Sequence, residues 1–179
     1  MATSQTFALG VGDIYLMISN TIPATDVEIE AVGNLIGSSS GGCSLTYNYD
    51  TYTVEDDKWQ KLDTFKQGET AGFKGNILTF DLNTLAKLTA NSVVDDSDIK
   101  KTVLKLGNKN TVVQKVVVRY VHTFKDGRKM RVTMIGNSTA GFELAFAKDK
   151  ETVIPFEISA LSQEDGTLCS IAIDKTAQA

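Results

Sequence analysis

Val112–Phe124 and Arg128–Ile135 carry the clearest hairpin pattern in the chain, and that pattern restricts the fold to one built on antiparallel sheet. A two-residue Asp126-Gly127 turn would put Tyr120 and Phe124 on the same face as Lys129 and Arg131. A three-residue loop, Lys125 to Gly127 with Gly127 left-handed in a bulge, separates the side-chain types cleanly. One face then holds Val118, Tyr120, His122, Phe124, Met130, Val132 and Met134. The other holds Lys115, Val117, Arg119, Val121, Thr123, Lys129, Arg131 and Thr133. A slip of one residue would exchange the faces, so the three-residue register is expected, with basic charge lining one face of a sheet.

The rest of the chain has the same character. Thr, Val and Ile make up about a quarter of the residues, a strand-leaning composition. Further strands are expected at Asp13–Ser19, Asp26–Val32, Cys43–Val54, Gln67–Thr79, Gly141–Ala147, Thr152–Leu161 and Leu168–Asp174. In DVEIEAV, Val27, Ile29 and Ala31 alternate with Asp26, Glu28 and Glu30, as in a half-buried strand. Glycines 68, 72 and 75 weigh against the strand at Gln67–Thr79. Glu55–Phe65 reads as a polar excursion with Trp59 embedded in it, and Asn91–Asn110 as mostly loop. One short helix is expected over Leu82–Thr89, with Asp81 as N-cap and Leu82, Leu85 and Leu88 as its apolar stripe. Strands follow strands without alternating helices. The expected fold is therefore mainly β, an antiparallel sandwich or barrel with one short flanking α-helix, in a single domain spanning residues 1–179.

Charge is segregated along this domain. The net charge of −4 conceals 14 acids and 5 bases in residues 1–99, 1 acid and 10 bases in 100–131, and 7 acids and 3 bases in 132–179. A general nucleic-acid binder normally carries net positive charge. Opposite charges on different segments fit either contacts between copies of the chain or a solvated basic hairpin on an acidic domain. No apolar run is long enough for a transmembrane helix. Met1–Phe7 lacks a basic region followed by an apolar core, so no signal peptide is expected. Cys43 and Cys169 are expected as reduced thiols.

Catalytic patterns are sparse. His122, the single histidine, falls on the apolar face of the hairpin and reads as a core or interface residue. One histidine and two distant cysteines supply too few ligands for a transition-metal site. GVGD (Gly10–Asp13) precedes a strand and does not link strand to helix, so it is no dinucleotide loop. Asp95, Asp96 and Asp98 lack the glycine and distal glutamate of a calcium loop and read as solvated acids, as do Asp56 and Asp57. The expectation is a protein without catalysis, cofactor or metal. Trp59, within EDDKWQKLD, either packs on a partner or folds back.

Several segments, in order, resemble the tail tube (major tail) proteins of long-tailed bacteriophages. They are GVGDIYL, DVEIEAVGNLIG, GGCSLTYNYDTYTVEDD, KQGETAGFKGNILTFDLNTLAKL and GFELAFAKDKETVIPFEISAL, covering roughly residues 10–174. The resemblance implies a small β-sandwich or barrel with a flanking helix, six copies of which close into a ring. Sheets of the subunits join around a lumen, rings stack into a tube, and DNA passes through without specific binding. It also implies flexible N- and C-terminal arms, synthesis in the host bacterial cytoplasm, a place in the virion tail, and tape-measure, tail-terminator and tail-tip proteins as partners. No membrane is involved.

Carried onto this chain, the resemblance makes the long loop around 55–67 the element that reaches a neighbouring ring, with Glu55, Asp56, Asp57, Lys58 and Trp59 as its candidates. Thr46, Asn48, Asp50, Lys74, Arg119, Lys129 and Arg131 become candidates for the polar face of the inner sheet. Tube lumens of the family are generally acidic, whereas this face carries Lys115, Arg119, Lys129 and Arg131. Either carboxylates such as Asp50 on adjacent strands neutralise these bases, or the face packs against a neighbour. Two other readings stand beside the tube subunit. One is a monomeric carbohydrate-binding or adhesin module with Trp59, Tyr47, Tyr49 and Tyr52 stacking on sugar. The other is a nucleic-acid binder using Arg119, Lys129 and Arg131.

Overall fold

The computed structural model describes residues 12–37, 39–78, 81–90, 92–107, 112–144 and 152–176. The terminal arms expected from the resemblance fall mainly on residues 1–11 and 177–179, outside the described residues. The protein is mainly β, antiparallel and sandwich-like, with short helices. The hairpin that anchored the sequence argument forms in the expected register. β6 (Lys115–Thr123) and β7 (Lys129–Ser138) pair with His122 opposite Met130, Tyr120 opposite Val132 and Arg119 opposite Thr133. Gly127 closes the turn at φ 84°, the left-handed backbone that glycine adopts without strain.

Around this hairpin one seven-stranded sheet is assembled in the order β1-β6-β7-β8-β3-β2. Its further members are β1 (Asp13–Ile18), β2 (Ser39–Glu55), β3 (Lys61–Ile77) and β8 (Ile154–Ala160). β9 (Cys169–Ile173) continues the lane of β8 along the same side of β7. The sheet curls so that its two ends share one core. Ile14 and Leu16 of β1 join Phe73 and Ile77 of β3 and Phe156 and Ile158 of β8, and the Phe73 ring lies 6.3 Å from that of Tyr120. α2 (Leu82–Lys87) seals this core with Leu85 and the following Leu88, and its N-cap is as expected: Asp81 accepts a hydrogen bond from the Thr84 amide at 2.9 Å.

Three expectations are corrected. Asp26–Val32 is not a strand. Asp26–Ile29 is a one-turn helix, α1, followed by a 3-10 turn at Val32–Asn34. The alternation in DVEIEAV also places Asp26 and Glu30 one helical turn apart, and Ile29, fully buried on Val117 and Ile135, selects the helix. Asn91–Asn110 is not mostly loop: β4 (Ser92–Asp98) and β5 (Lys101–Leu106) form a second, two-stranded sheet beside α2. Gly141–Leu144 of the strand expected at Gly141–Ala147 is irregular, and residues 145–147 lie outside the described residues.

Of the three glycines that weighed against β3, Gly75 has a packing role. A Cβ on Gly75 would come within 2.8 Å of both Cys43 Sγ and the Phe156 ring, so the bare backbone is what admits that ring. Gly136 of β7 is tighter still, with a Cβ meeting the Ser159 carbonyl oxygen at 2.1 Å. Backbone cannot yield as a flexible side chain does. Gly136→Ala is therefore expected to cost roughly 2 kcal/mol or more, whereas Gly33→Ala, with nothing within 4 Å, should be tolerated. Urea unfolding of the two variants checks this.

Candidate assembly surfaces

On the outer face of the β6–β7 hairpin the two arginines are covered, whereas Lys115 is exposed and Lys129 half-buried. Arg119 and Arg131 have side chains only 8% and 7% exposed. α1 lies across them and supplies carboxylates. Arg119 donates to Asp26 and, through Nε, to Thr133 Oγ1 at 3.0 Å. Arg131 Nε donates to Glu30 Oε1 at 2.6 Å, while its Nη1 donates to Asp174 Oδ1 at 2.7 Å. Lys129 Nζ stands 3.8 Å from Glu30. Burial works against the Arg131 charge, but its hydrogen bond to Glu30 and the fields of Glu30, Asp26 and Asp174 outweigh it and hold its pKa above the ordinary value.

This arrangement divides the expected inner-sheet face. The ladders put Arg119, Lys129 and Arg131 on the same face of the sheet as Thr46, Asn48, Asp50 and Lys74, but α1 covers the two arginines and leaves the β2 and β3 residues exposed. Their neutralising groups are Asp26, Glu30 and Asp174, not Asp50. One acidic segment, the basic hairpin and the acidic end thus meet inside one chain, and this part of the charge segregation needs no second copy. Thr46, Asn48 and Asp50 of β2 do fall on one face, with Lys74 opposite Ser44 beside them, and Lys74 pairs with Glu157 at 3.0 Å.

The second surface is an arm. β2 and β3 are 17 residues each, and only residues 72–77 of β3 pair with β8. Beyond that point the two strands continue as a ribbon that carries exposed aromatics on both faces. Tyr47 and Tyr49 lie on the face that is continuous with the core, and Tyr52 opposite Phe65 on the other. The expected long loop at 55–67 is a correction. Only residues 56–60 form the turn, and residues 61–67 belong to β3. Its candidates Glu55, Asp56, Asp57, Lys58 and Trp59 come together at the tip of the arm.

The tip is tightly made. Asp56 Oδ1 accepts from the amides of Lys58 (2.9 Å) and Gln60 (2.8 Å), and the Asp56 carbonyl accepts from Trp59 N at 2.9 Å. Within this frame Trp59 has φ 62°, and among the described residues it is the one non-glycine residue with positive φ. Its side chain is 84% exposed. Tyr47 and Tyr49 share a face, as the carbohydrate-binding alternative required of them, with rings tilted by 40° at 6.3 Å, and Tyr52 lies on the opposite face. The Tyr47 hydroxyl donates to Glu69 Oε2 at 2.5 Å, which raises the Tyr47 pKa and, together with Lys66, lowers that of Glu69.

Free strand edges complete the inventory. β1, one end of the sheet, is partly capped: Leu35 bridges Tyr15, and the Ile36 amide donates to Ile14 O at 2.9 Å. β2, the other end, has no second strand partner among the described residues, and neither does the outer side of β9, where Ile171 and Ile173 are exposed. His122 is buried, edge-on to Phe124 at 5.1 Å. Asp95 is drawn well below the usual carboxylate range by Lys105 and Ser97, and Asp98 lies 3.9 Å from Lys101, so these acids serve the β4–β5 hairpin.

The functional residues that sequence reasoning missed are Asp26, Glu30 and Asp174. Their signal was the i, i+4 spacing of Asp26 and Glu30, which fits a helical turn facing bases as well as it fits a strand. The chain matches no known family profile and no curated protein sequence.

Two outcomes follow. Glu30→Ala leaves buried guanidinium charge short of a partner, and should cost roughly 2–4 kcal/mol of stability by urea unfolding. Burial raises the Cys169 pKa, so the thiolate is scarce at neutral pH; alkylation of Cys169 mapped by mass spectrometry should be slow there and accelerate as pH rises through the alkaline range.

Proposed function

We propose that the chain is a structural subunit that assembles with copies of itself into stacked rings, six-fold by resemblance, forming a phage tail tube through which DNA passes, and that it performs no catalysis. The observation that carries this reading is the β2–β3 arm. A ribbon exposing Tyr47, Tyr49, Tyr52, Trp59, Leu62 and Phe65 is a poor surface for a protein that stays alone in water. It also ends the sheet with an unpaired edge, which sheet continuation between copies would satisfy.

Ring closure by a heterologous contact needs two different surfaces on each copy. The open edges of β2 and β9 are two such surfaces, the β9 edge standing in the lane of β8, two strands in from β2. The covered bases bear on the conduit. With Arg119 and Arg131 sealed under α1, the candidates left for a lumen surface are Thr46, Asn48, Asp50 and Lys74, of which Lys74 is paired with Glu157. A wall of that kind offers passing phosphates few free cations to hold.

Negative-stain electron microscopy of concentrated protein should show rings of about six-fold symmetry, or tubes. Sedimentation velocity that reports only monomer across a wide concentration range would count decisively against the reading.

A further inference from the structure

We propose that the β2–β3 arm is a flap that closes over β9 of its own chain, bringing the face that carries Tyr47 and Tyr49 onto Ile171 and Ile173. Closure is a property of the single chain. That it holds the subunit out of assembly rests on the tube-subunit reading.

Two apolar surfaces leave the body side by side. Ser159 of β8 pairs with Gly72 of β3 on one side and with Asn137 of β7 on the other. From that level the arm runs back along β3 toward Lys61, and β9 follows β7 from Met134 to Met130. β3 and β7 are both antiparallel to β8, so the arm and β9 extend in the same direction. The ladders also fix where their side chains point. Cys169, Ile171 and Ile173 stand opposite Met134, Val132 and Met130, on the core face of β7. Tyr47 stands opposite the core residue Ala71, and Tyr49 follows on the same face.

The core is therefore continuous to the foot of both surfaces, where Leu45 and Cys169 pack against it. Beyond that it opens into a mouth with one apolar lip on the arm and the other on β9. The lips stand apart: Tyr49 is 62% exposed and Ile171 60%. The gap is narrow at its foot, since the Tyr47 pKa, raised first by the bond to Glu69, is raised also by the field of Cys169. Burying such lips against each other is favourable in water.

The segment that bears the tyrosines is jointed at both ends. Gly72 is the last residue of β3 that β8 holds, and among the described residues no ladder joins the rest of the arm to β9. At the other end Asp50 pairs with Gly68 but Thr51 with Lys66, so Gln67 is left over as a bulge that bends the ribbon. A Cβ at Gly68 would meet nothing within 4 Å, so side-chain packing does not brace that joint. Polar groups on the closing face already have partners within the arm. The Tyr47 hydroxyl donates to Glu69, and Lys66 Nζ lies 3.1 Å from the other oxygen of the same carboxylate, so closure strands no unpaired charge.

The tether decides which surface covers β9 in dilute solution. β3 is tied to β8, whose lane β9 continues, so the chain's own arm is present at far higher effective concentration than any second copy. At high concentration a neighbour competes, and an arm that opens to it releases both lips. Closure thus keeps the inner tyrosines and β9 from premature contacts.

Thr51→Cys with Ile173→Cys places a thiol on each lip, beyond the foot of the mouth. Under mild oxidation at a dilution where the chain is monomeric, mass spectrometry should find an intrachain bridge between positions 51 and 173. It should form roughly tenfold faster than in the control pair Tyr52→Cys with Ile173→Cys, whose arm thiol faces away. Adding Tyr49→Ser to the first pair strips the arm lip and should slow bridging several-fold. Equal rates in the two pairs, or a rate that Tyr49→Ser leaves unchanged, overturn the closure and leave the tube reading standing. The bridged chain should form no rings or tubes at concentrations where its reduced form does, and should regain them on reduction. A bridged chain that assembles like the reduced one overturns the claim that closure withholds the subunit. A parent chain that stays monomeric at every concentration overturns the tube reading and with it that claim, while the bridging rates still decide the closure.

Discussion

Two arginines with almost no solvent exposure, Arg119 and Arg131, decide how the outer face of the central hairpin is covered. A guanidinium cannot shed its charge, so burying one demands carboxylates at hydrogen-bond distance. Asp26 and Glu30 come from a segment more than eighty residues away, and Asp174 from the end of the described chain. The same cluster therefore sets where α1 crosses the sheet and where β9 ends. Ile29 adds its fully buried side chain to the seam on Val117 and Ile135. Tyr15, beside this seam, has its pKa raised by burial and by the fields of Asp13 and Glu30. Three separate stretches of sequence are tied at one point, and the core on the inner face is left with no buried charge pair to satisfy, its main cluster being apolar.

What was legible in the sequence was whatever a local period could encode. The β6–β7 register followed from sorting bases and apolar residues onto opposite faces, and the pairs His122–Met130 and Tyr120–Val132 are those the sorting required. The α2 cap followed from an aspartate placed before a leucine stripe. Two errors share a cause. Asp26–Val32 alternates like a strand, and only the distant arginines and the Val117–Ile135 patch make a helical turn the better choice. Residues 61–67 read as loop because they are polar, yet an arm that leaves the body has no buried face to mark as apolar. Polarity signals solvent, and solvent reaches strands as well as loops. For the candidate site, the tip residues Glu55 to Trp59 were legible as a unit, and alternation placed Arg119, Lys129 and Arg131 on one sheet face with Thr46, Asn48, Asp50 and Lys74. What alternation could not supply is that α1 covers the arginines on that face, because nothing local to those strands encodes it.

An exposed sheet edge is a hazard unless its geometry limits what can pair with it. β2 bears no proline and, among the described residues, no capping segment, but its ladder with β3 shifts register at Asp50/Thr51 and again at Val54/Glu55. Such irregularities increase local twist and bend the ribbon. A flat strand from an unrelated chain cannot follow that path over its full length, whereas a partner with the same curvature can. β9 limits its edge by being only five residues long, and β1 by the Leu35–Ile36 cap. The three edges are thus restrained by shape, length and cover respectively. Only the shaped one is long enough to carry a strong contact, and it is the edge of the arm whose tip holds the strained tryptophan. On the proposed assembly, joining along this edge selects a partner by curvature before much area is buried, which rejects most wrong partners first.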